Sequence, residues 1–134
     1  MVSATGLTFE GLQRQVGDYV SERGWNKYHR PKDLAISIAI ESAELLELFQ
    51  WKPDPIESGK MNEDLRSCVG EELADVIIYS VCMANVLNIN LSQALANKIK
   101  KNRRKYPAQK VAKAKDWDEV CMMRAKSSTE NGDE

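Results

Sequence analysis

With 134 residues, 43% of them hydrophobic, the chain can bury one respectable core and has no room for a second domain of usual size. The formal net charge is −1, which excludes a global field for nucleic acid or membrane, so any polyanion must be met by a local patch.

Residues 1–8 show no basic segment followed by an apolar one, and no apolar run approaches the length of a membrane span. A first helix is expected over about 8–23, with Thr8 as N-cap, Phe9, Leu12, Val16, Tyr19 and Val20 on one side, and Gly24 ending it. A second begins near Pro31, a residue suited to a first turn, and runs over about 31–50. Trp51-Lys52-Pro53-Asp54-Pro55 and Ser58-Gly59 break the periodicity and make a loop. The third and longest helix is expected over 62–87. A fourth, opened by Asn90 and Gln93 in the manner of a capping box, is expected over 91–106 and ends before Pro107. Ile36 to Ile40 alternates like a strand, but the surrounding period and length favour helix. The expected fold class is therefore all-α, a four-helix bundle in one domain over 1–110. Residues 111–134 read as a polar, largely flexible tail, apart from an apolar cluster of Trp117, Val120, Met122 and Met123. Cys68, Cys82 and Cys121 are odd in number and lack a C-x-x-C or a histidine partner. That argues against disulfides or zinc and for reduced thiols in a soluble, cytoplasmic protein.

Two acid pairs dominate the chemistry. Glu41 and Glu44 on the second helix, and Glu72 and Asp75 on the third, each lie one turn apart on one helix face. At roughly 100° per residue, Leu34, Ile38, Leu45 and Leu48 fall within about 60° of Glu41, so this carboxylate points into the apolar stripe. Glu72 repeats the arrangement among Leu65, Val76, Tyr79 and Met83. Either pair alone would suit a solvated surface helix. Four carboxylates turned toward a core, however, cost several kcal/mol each unless a cation accompanies them. An all-oxygen set without His or Cys suits a hard ion, Mg²⁺ or Mn²⁺.

Trp25, Tyr28 and His29 cluster in the first connection, Trp51 opens the second, and Tyr79 lies one turn beyond Asp75. Such aromatics at the mouth of a bundle suit a planar group, a nucleobase above all. Residues 98–106 carry six basic side chains in nine, a run that attracts phosphates and is also at home on a solvated helix face. His29 is the only histidine, which removes the carboxylate–histidine pattern of a di-iron bundle. Cation, aromatics and basic run together specify a nucleoside polyphosphate. No glycine-rich phosphate loop is present, so it is not held as in P-loop enzymes.

Glu41-x-x-Glu44 followed by Glu72-x-x-Asp75 is similar to the E-x-x-E…E-x-x-D signature of the MazG-like all-α nucleoside triphosphate pyrophosphatases. Trp25-Asn26-Lys27-Tyr28-His29, the run Glu44 to Trp51, Glu71 to Val76, and Asn102-Arg103-Arg104-Lys105-Tyr106-Pro107 resemble the dCTP pyrophosphatase branch. The resemblance covers about residues 8–110. It implies Mg²⁺-dependent hydrolysis of dCTP or a modified dCTP between the α and β phosphates, in a bundle that forms a homodimer or a dimer of dimers. It further implies that Glu41, Glu44, Glu72 and Asp75 hold the metal. Trp25, Asn26, Lys27, Tyr28, His29, Trp51 and Tyr79 would line the nucleotide site, while Lys98, Asn102, Arg103, Arg104 and Tyr106 would meet phosphates, in some arrangements from a neighbouring chain. One departure bears on base choice: relatives in this branch can place a histidine on the first helix where this chain has Val16.

The chemistry needs no protein nucleophile; a spare carboxylate, Glu41 or Glu44, would take the proton from the attacking water. The competing expectation is a non-catalytic helical module that binds RNA or a protein through 98–105 and the Trp117 cluster. Nucleic acid and membrane are not the partners expected under the enzymatic reading.

Overall fold

The computed structural model describes residues 6–129, with side chains described up to Met123; residues 130–134 of the expected tail lie outside the described residues. The described residues are helical, with no strand among them. In chain order they form α1 (Phe9–Glu22), a short 3₁₀ turn (Trp25–Lys27), α2 (Pro31–Glu47), α3 (Glu63–Val86), α4 (Leu91–Lys105), α5 (Ala108–Val111) and α6 (Trp117–Thr129). The four expected helices are present within a few residues of their expected ends. The chain divides into two compact units, the first ending at Leu91 and the second beginning at Ser92.

Local chemistry explains the helix boundaries in the first unit. Thr8 caps α1 by accepting a hydrogen bond from the Gly11 N–H at 3.0 Å, which satisfies one of the orphan donors of the first turn. Asn62 does the same for α3, accepting from the Leu65 N–H at 2.8 Å, and Glu63 and Asp64 add negative charge where the helix dipole favours it. Pro31 occupies the first turn of α2, where its missing N–H costs nothing. Gly24 takes φ 64°, a left-handed turn that glycine enters freely, and this folds Trp25 back beside α1. In the loop after α2, the Asp54 carboxylate accepts from the Ile56 and Glu57 N–H groups at 2.8 and 2.9 Å, which closes a compact turn.

The core of this unit joins Val16 and Val20 from α1, Leu34 from α2, and Val81 and Cys82 from α3. Helix α3 is its centre, packed against α2 along its length and against α1. A polar clasp ties α1 to the end of α3. The Gln13 side-chain amide donates to Asn85 Oδ1 at 3.1 Å and to the Ile89 carbonyl at 3.0 Å, while Asn85 Nδ2 donates to the Gln13 carbonyl at 2.9 Å. The Leu91 N–H donates to Gln13 Oε1 at 3.3 Å, so both donors and the acceptor oxygen of the Gln13 amide are engaged.

In the second unit, α4 ends in Arg103, Arg104 and Lys105, cations placed where the C-terminal dipole favours them. Two helices lie beyond Pro107 that the sequence reading does not assign. For α6 the reason is a capping pair. Asp116 accepts from the Glu119 N–H at 2.9 Å, and Glu119 reaches back to accept from the Lys115 N–H at 2.8 Å. Of the expected apolar cluster there, Val120 is buried, whereas Trp117 and Met122 are exposed. No single helix among the described residues is long and apolar enough to cross a membrane.

Candidate active site

Packing α2 against α3 brings Glu41 into register with Glu72 and Asp75, and one carboxylate oxygen from each lies within 4.8 Å of the other two. The spacing on α3 places its two acids one turn apart, and the pairing of the helices supplies the third. Glu41 and Glu72 are half-buried. Burial first, and then the charges of Glu44, Asp75 and Glu72, raise the Glu41 carboxyl above the ordinary carboxylate range. Glu72 is raised in the same way, by burial and then by Glu44, Asp75, Glu71 and Glu47. Its Oε2 is buried and makes no hydrogen bond. Among the described residues no Lys or Arg forms an ion pair with the three acids.

A buried oxygen with no donor, beside two further carboxylates, is unfavourable for the protein alone and is relieved by a cation. The donor set is all oxygen, without histidine or thiolate, which matches a hard divalent ion and not zinc. The residues present therefore fit a divalent metal. Glu44 does not join this three-acid cluster; it is exposed, and its charge bears on both Glu41 and Glu72.

Asp75 also borders a cavity of about 530 Å³ whose walls come from α1, the 3₁₀ turn and α3. Tyr19, Trp25 and Tyr79 give it aromatic surface; Leu12, Val16, Val20, Ile78 and Cys82 line it with apolar atoms; Gln15 and His29 add polar groups. Tyr19 and Trp25 meet edge to face, with ring centres 5.6 Å apart and planes at 82°. The Arg23 guanidinium lies 3.9 Å from the centre of the Tyr19 ring. Burial, then Glu41 and Asp75, push the Tyr79 hydroxyl upward, against a smaller lowering by its hydrogen bond with Ser37. Acidic cluster and aromatic cavity thus share one boundary at Asp75.

The expected site residues divide in their placement. Trp25, His29 and Tyr79 line the cavity. Asn26 instead donates to Ser21 Oγ at 3.1 Å, and the Lys27 ammonium sits 5.0 Å from the ring centre of Tyr28, which is exposed. Trp51 lies outside the cavity lining, 94% exposed and held at a left-handed φ of 63°. Lys98, Asn102, Arg103 and Arg104 are exposed on α4, and the Lys105 ammonium lies over the half-buried Tyr106 ring. On the α1 wall of the cavity the sequence reading places only Val16 near the base, through the resemblance, and takes Leu12, Tyr19 and Val20 for the apolar side of the helix. A usable signal was Gln15, a polar residue one turn from both Leu12 and Tyr19.

Comparison with known proteins follows the same lines. The family model described as MazG-like matches residues 36–120. Over 102 residues the chain is 39% identical to dCTP pyrophosphatase 1 of Bos taurus, and over 103 residues it is 39% identical to dCTP pyrophosphatase 1 of Homo sapiens. Each alignment covers 75% of this chain and 60% of the relative, so the chain spans about three-fifths of the length of these curated relatives. A crystal structure of a pyrophosphatase from Archaeoglobus fulgidus superposes with a TM-score of 0.66 at 46% identity, covering 73% of this chain and 91% of that one. With most of its length matched by that family model, and with the paired acids in place on α2 and α3, the chain belongs to the MazG-like family.

Proposed function

We propose that this protein is a nucleoside triphosphate pyrophosphohydrolase that cleaves dCTP or a modified dCTP between the α and β phosphates. The observation that carries this reading is the shared boundary at Asp75, where a carboxylate cluster fit for a divalent cation meets an aromatic cavity of about 530 Å³, ample for a nucleobase. The curated relatives are dCTP pyrophosphatases, which agrees with it.

In the proposed reaction a water oxygen bonds to a phosphorus of the α–β bridge, the bridging P–O bond breaks, and the products are a nucleoside monophosphate and pyrophosphate. Glu41, Glu72 and Asp75 would hold Mg²⁺, which when bound supplies charge neutralisation and Lewis acidity at the phosphates. Glu44, outside the three-acid cluster, is free to accept the proton from the attacking water; Glu41, with its raised affinity for protons, is the other carboxylate suited to that task. Trp25 and Tyr79 present ring surface to the base, and His29 a polar edge. The domain of 1–110 carries this machinery.

Trp51, Lys98, Asn102, Arg103, Arg104 and Tyr106 are assigned to the nucleotide through a homo-oligomer, in which a neighbouring subunit's α4 brings cations to the triphosphate. Ile36, Ile40, Leu73 and Ile77, each about half exposed on α2 and α3, provide apolar surface for that pairing.

The test is release of pyrophosphate from a panel of dNTPs with and without Mg²⁺. Magnesium-dependent formation of dCMP and pyrophosphate is expected. Absence of turnover together with RNA or peptide binding through residues 98–105 would favour the non-catalytic module. A mixture of inactive Glu72→Gln and inactive Lys98→Ala chains should regain activity on subunit exchange if the sites are composite; a fully active monomer in light scattering rules that out.

A further inference from the structure

Gln13 and Gln15 stand two residues apart on α1 and have opposite circumstances. Both N–H donors of the Gln13 amide are used, by Asn85 Oδ1 and the Ile89 carbonyl, and its oxygen accepts from the Leu91 N–H. The Gln15 amide makes no hydrogen bond among the described residues, yet it lines the cavity between Leu12 and Tyr19. It is the one amide in that lining, and it offers a donor and an acceptor side by side in one plane.

His29 and Asp75 are the other polar side chains of the lining, and neither sets a donor and an acceptor side by side in one plane as the Gln15 amide does. Tyr19, Trp25 and Tyr79 offer surfaces on which any base can stack, and Val16, Val20 and Ile78 exclude water without discriminating among polar edges. Discrimination requires groups that hydrogen-bond the edge of the ring, because a stacked face is alike in every base while the donors and acceptors of the edge differ. A glutamine amide pairs with an exocyclic amine that lies beside a ring acceptor nitrogen, its carbonyl accepting from the amine and its NH₂ donating to the nitrogen.

We infer that Gln15 is the specificity-determining residue of this cavity, reading the amine-and-nitrogen edge of a cytosine-type base while the aromatic wall holds its faces. This rests on the nucleotide reading above. Gln15 touches no reacting atom, and its effect falls on the choice among substrates.

The experiment compares kcat/KM for dCTP with kcat/KM for the triphosphate of the 2-pyrimidinone deoxynucleoside, which is cytosine's frame without the exocyclic amine. The parent protein should prefer dCTP by about tenfold or more, and Gln15→Leu should bring the two substrates to near equality. Gln15→Glu, which keeps the length and the acceptors but loses the donor, should lower kcat/KM for dCTP, since a carboxylate oxygen then faces the ring nitrogen's lone pair. Gln15 is exposed, so melting temperatures should stay at the parent value in both variants. An active parent whose preference persists unchanged in Gln15→Leu would overturn the role of Gln15 and leave the pyrophosphohydrolase reading standing. A parent that hydrolyses no nucleotide would overturn both.

Discussion

The clasp around Gln13 and the cluster around Glu72 are both polar, both built on α3, and both set against apolar packing, yet they are opposites in completeness. In the clasp Gln13 donates to Asn85 and to the Ile89 carbonyl and accepts from the Leu91 N–H, and Asn85 donates back to the Gln13 carbonyl. In the cluster three carboxylates face one another, and Glu72 Oε2 has no partner at all. A satisfied network is a means of holding helices together; an unsatisfied one of like charges is a stability cost that a fold keeps where a ligand relieves it. The contrast gives the first a structural part and suits the second to the metal-binding part proposed for it.

The largest effect expected from breaking the contrast is on turnover. Under the proposed function Glu72→Gln and Asp75→Asn should each lower kcat by at least about a hundredfold, because a metal cluster that loses one carboxylate is disabled as a unit. Metal-free Glu72→Gln should melt at or above the temperature of the parent, since a repelling charge is gone. A purified, folded variant with full activity would remove these acids from the reaction.

The clasp should show the reverse pattern. Gln13→Leu leaves Asn85 and the Ile89 carbonyl short of partners and should cost about 1–3 kcal/mol in chemical denaturation, with kcat of the proposed reaction changed by less than about twofold in the folded protein. A variant of unchanged stability would mean that the clasp holds nothing.

Next in size is the stacking wall. Trp25→Ala should raise KM for the preferred nucleotide by about tenfold while moving kcat much less, since a stacked base is worth roughly 1–3 kcal/mol and lies away from the bond that breaks. Inorganic triphosphate should be a poor substrate for the parent; cleavage as efficient as that of dCTP would reduce the aromatic wall to packing.

The smallest effect is the dependence of stability on pH without metal. Glu41 and Glu72 bind protons more tightly in the folded chain than in the unfolded one, because burial and neighbouring acids raise both. Between the ordinary carboxylate range and these raised values the folded state therefore carries more protons, so stability should fall as pH rises through that window and then level off. Added Mg²⁺ should raise the melting temperature at neutral pH more than at pH about 5, where protons compete for the same oxygens. An equal rise at both would separate the titrating acids from the metal.

Helix positions and the identity of the acids were legible in the sequence because both depend on neighbours along the chain. Thr8, Pro31 and Asn62 mark helix starts through their own side chains, and the Glu41/Glu44 and Glu72/Asp75 spacings fix helix faces by the rise of a single helix. The start of α6 was equally local, in Asp116 and Glu119, and was passed over because the surrounding composition is polar. What only the tertiary structure decided was which residues meet. The packing of α2 on α3 selected Glu41, Glu72 and Asp75 for the cluster and left Glu44 outside it. The seating of α1 on α3 made Leu12 and the core residues Val16 and Val20 the wall of a cavity as well, and set Gln15 at that wall beside Gln13. The spacing of residues along one helix is fixed by its backbone hydrogen bonds, whereas the register between helices comes from side-chain packing between segments distant in sequence, which no local pattern specifies.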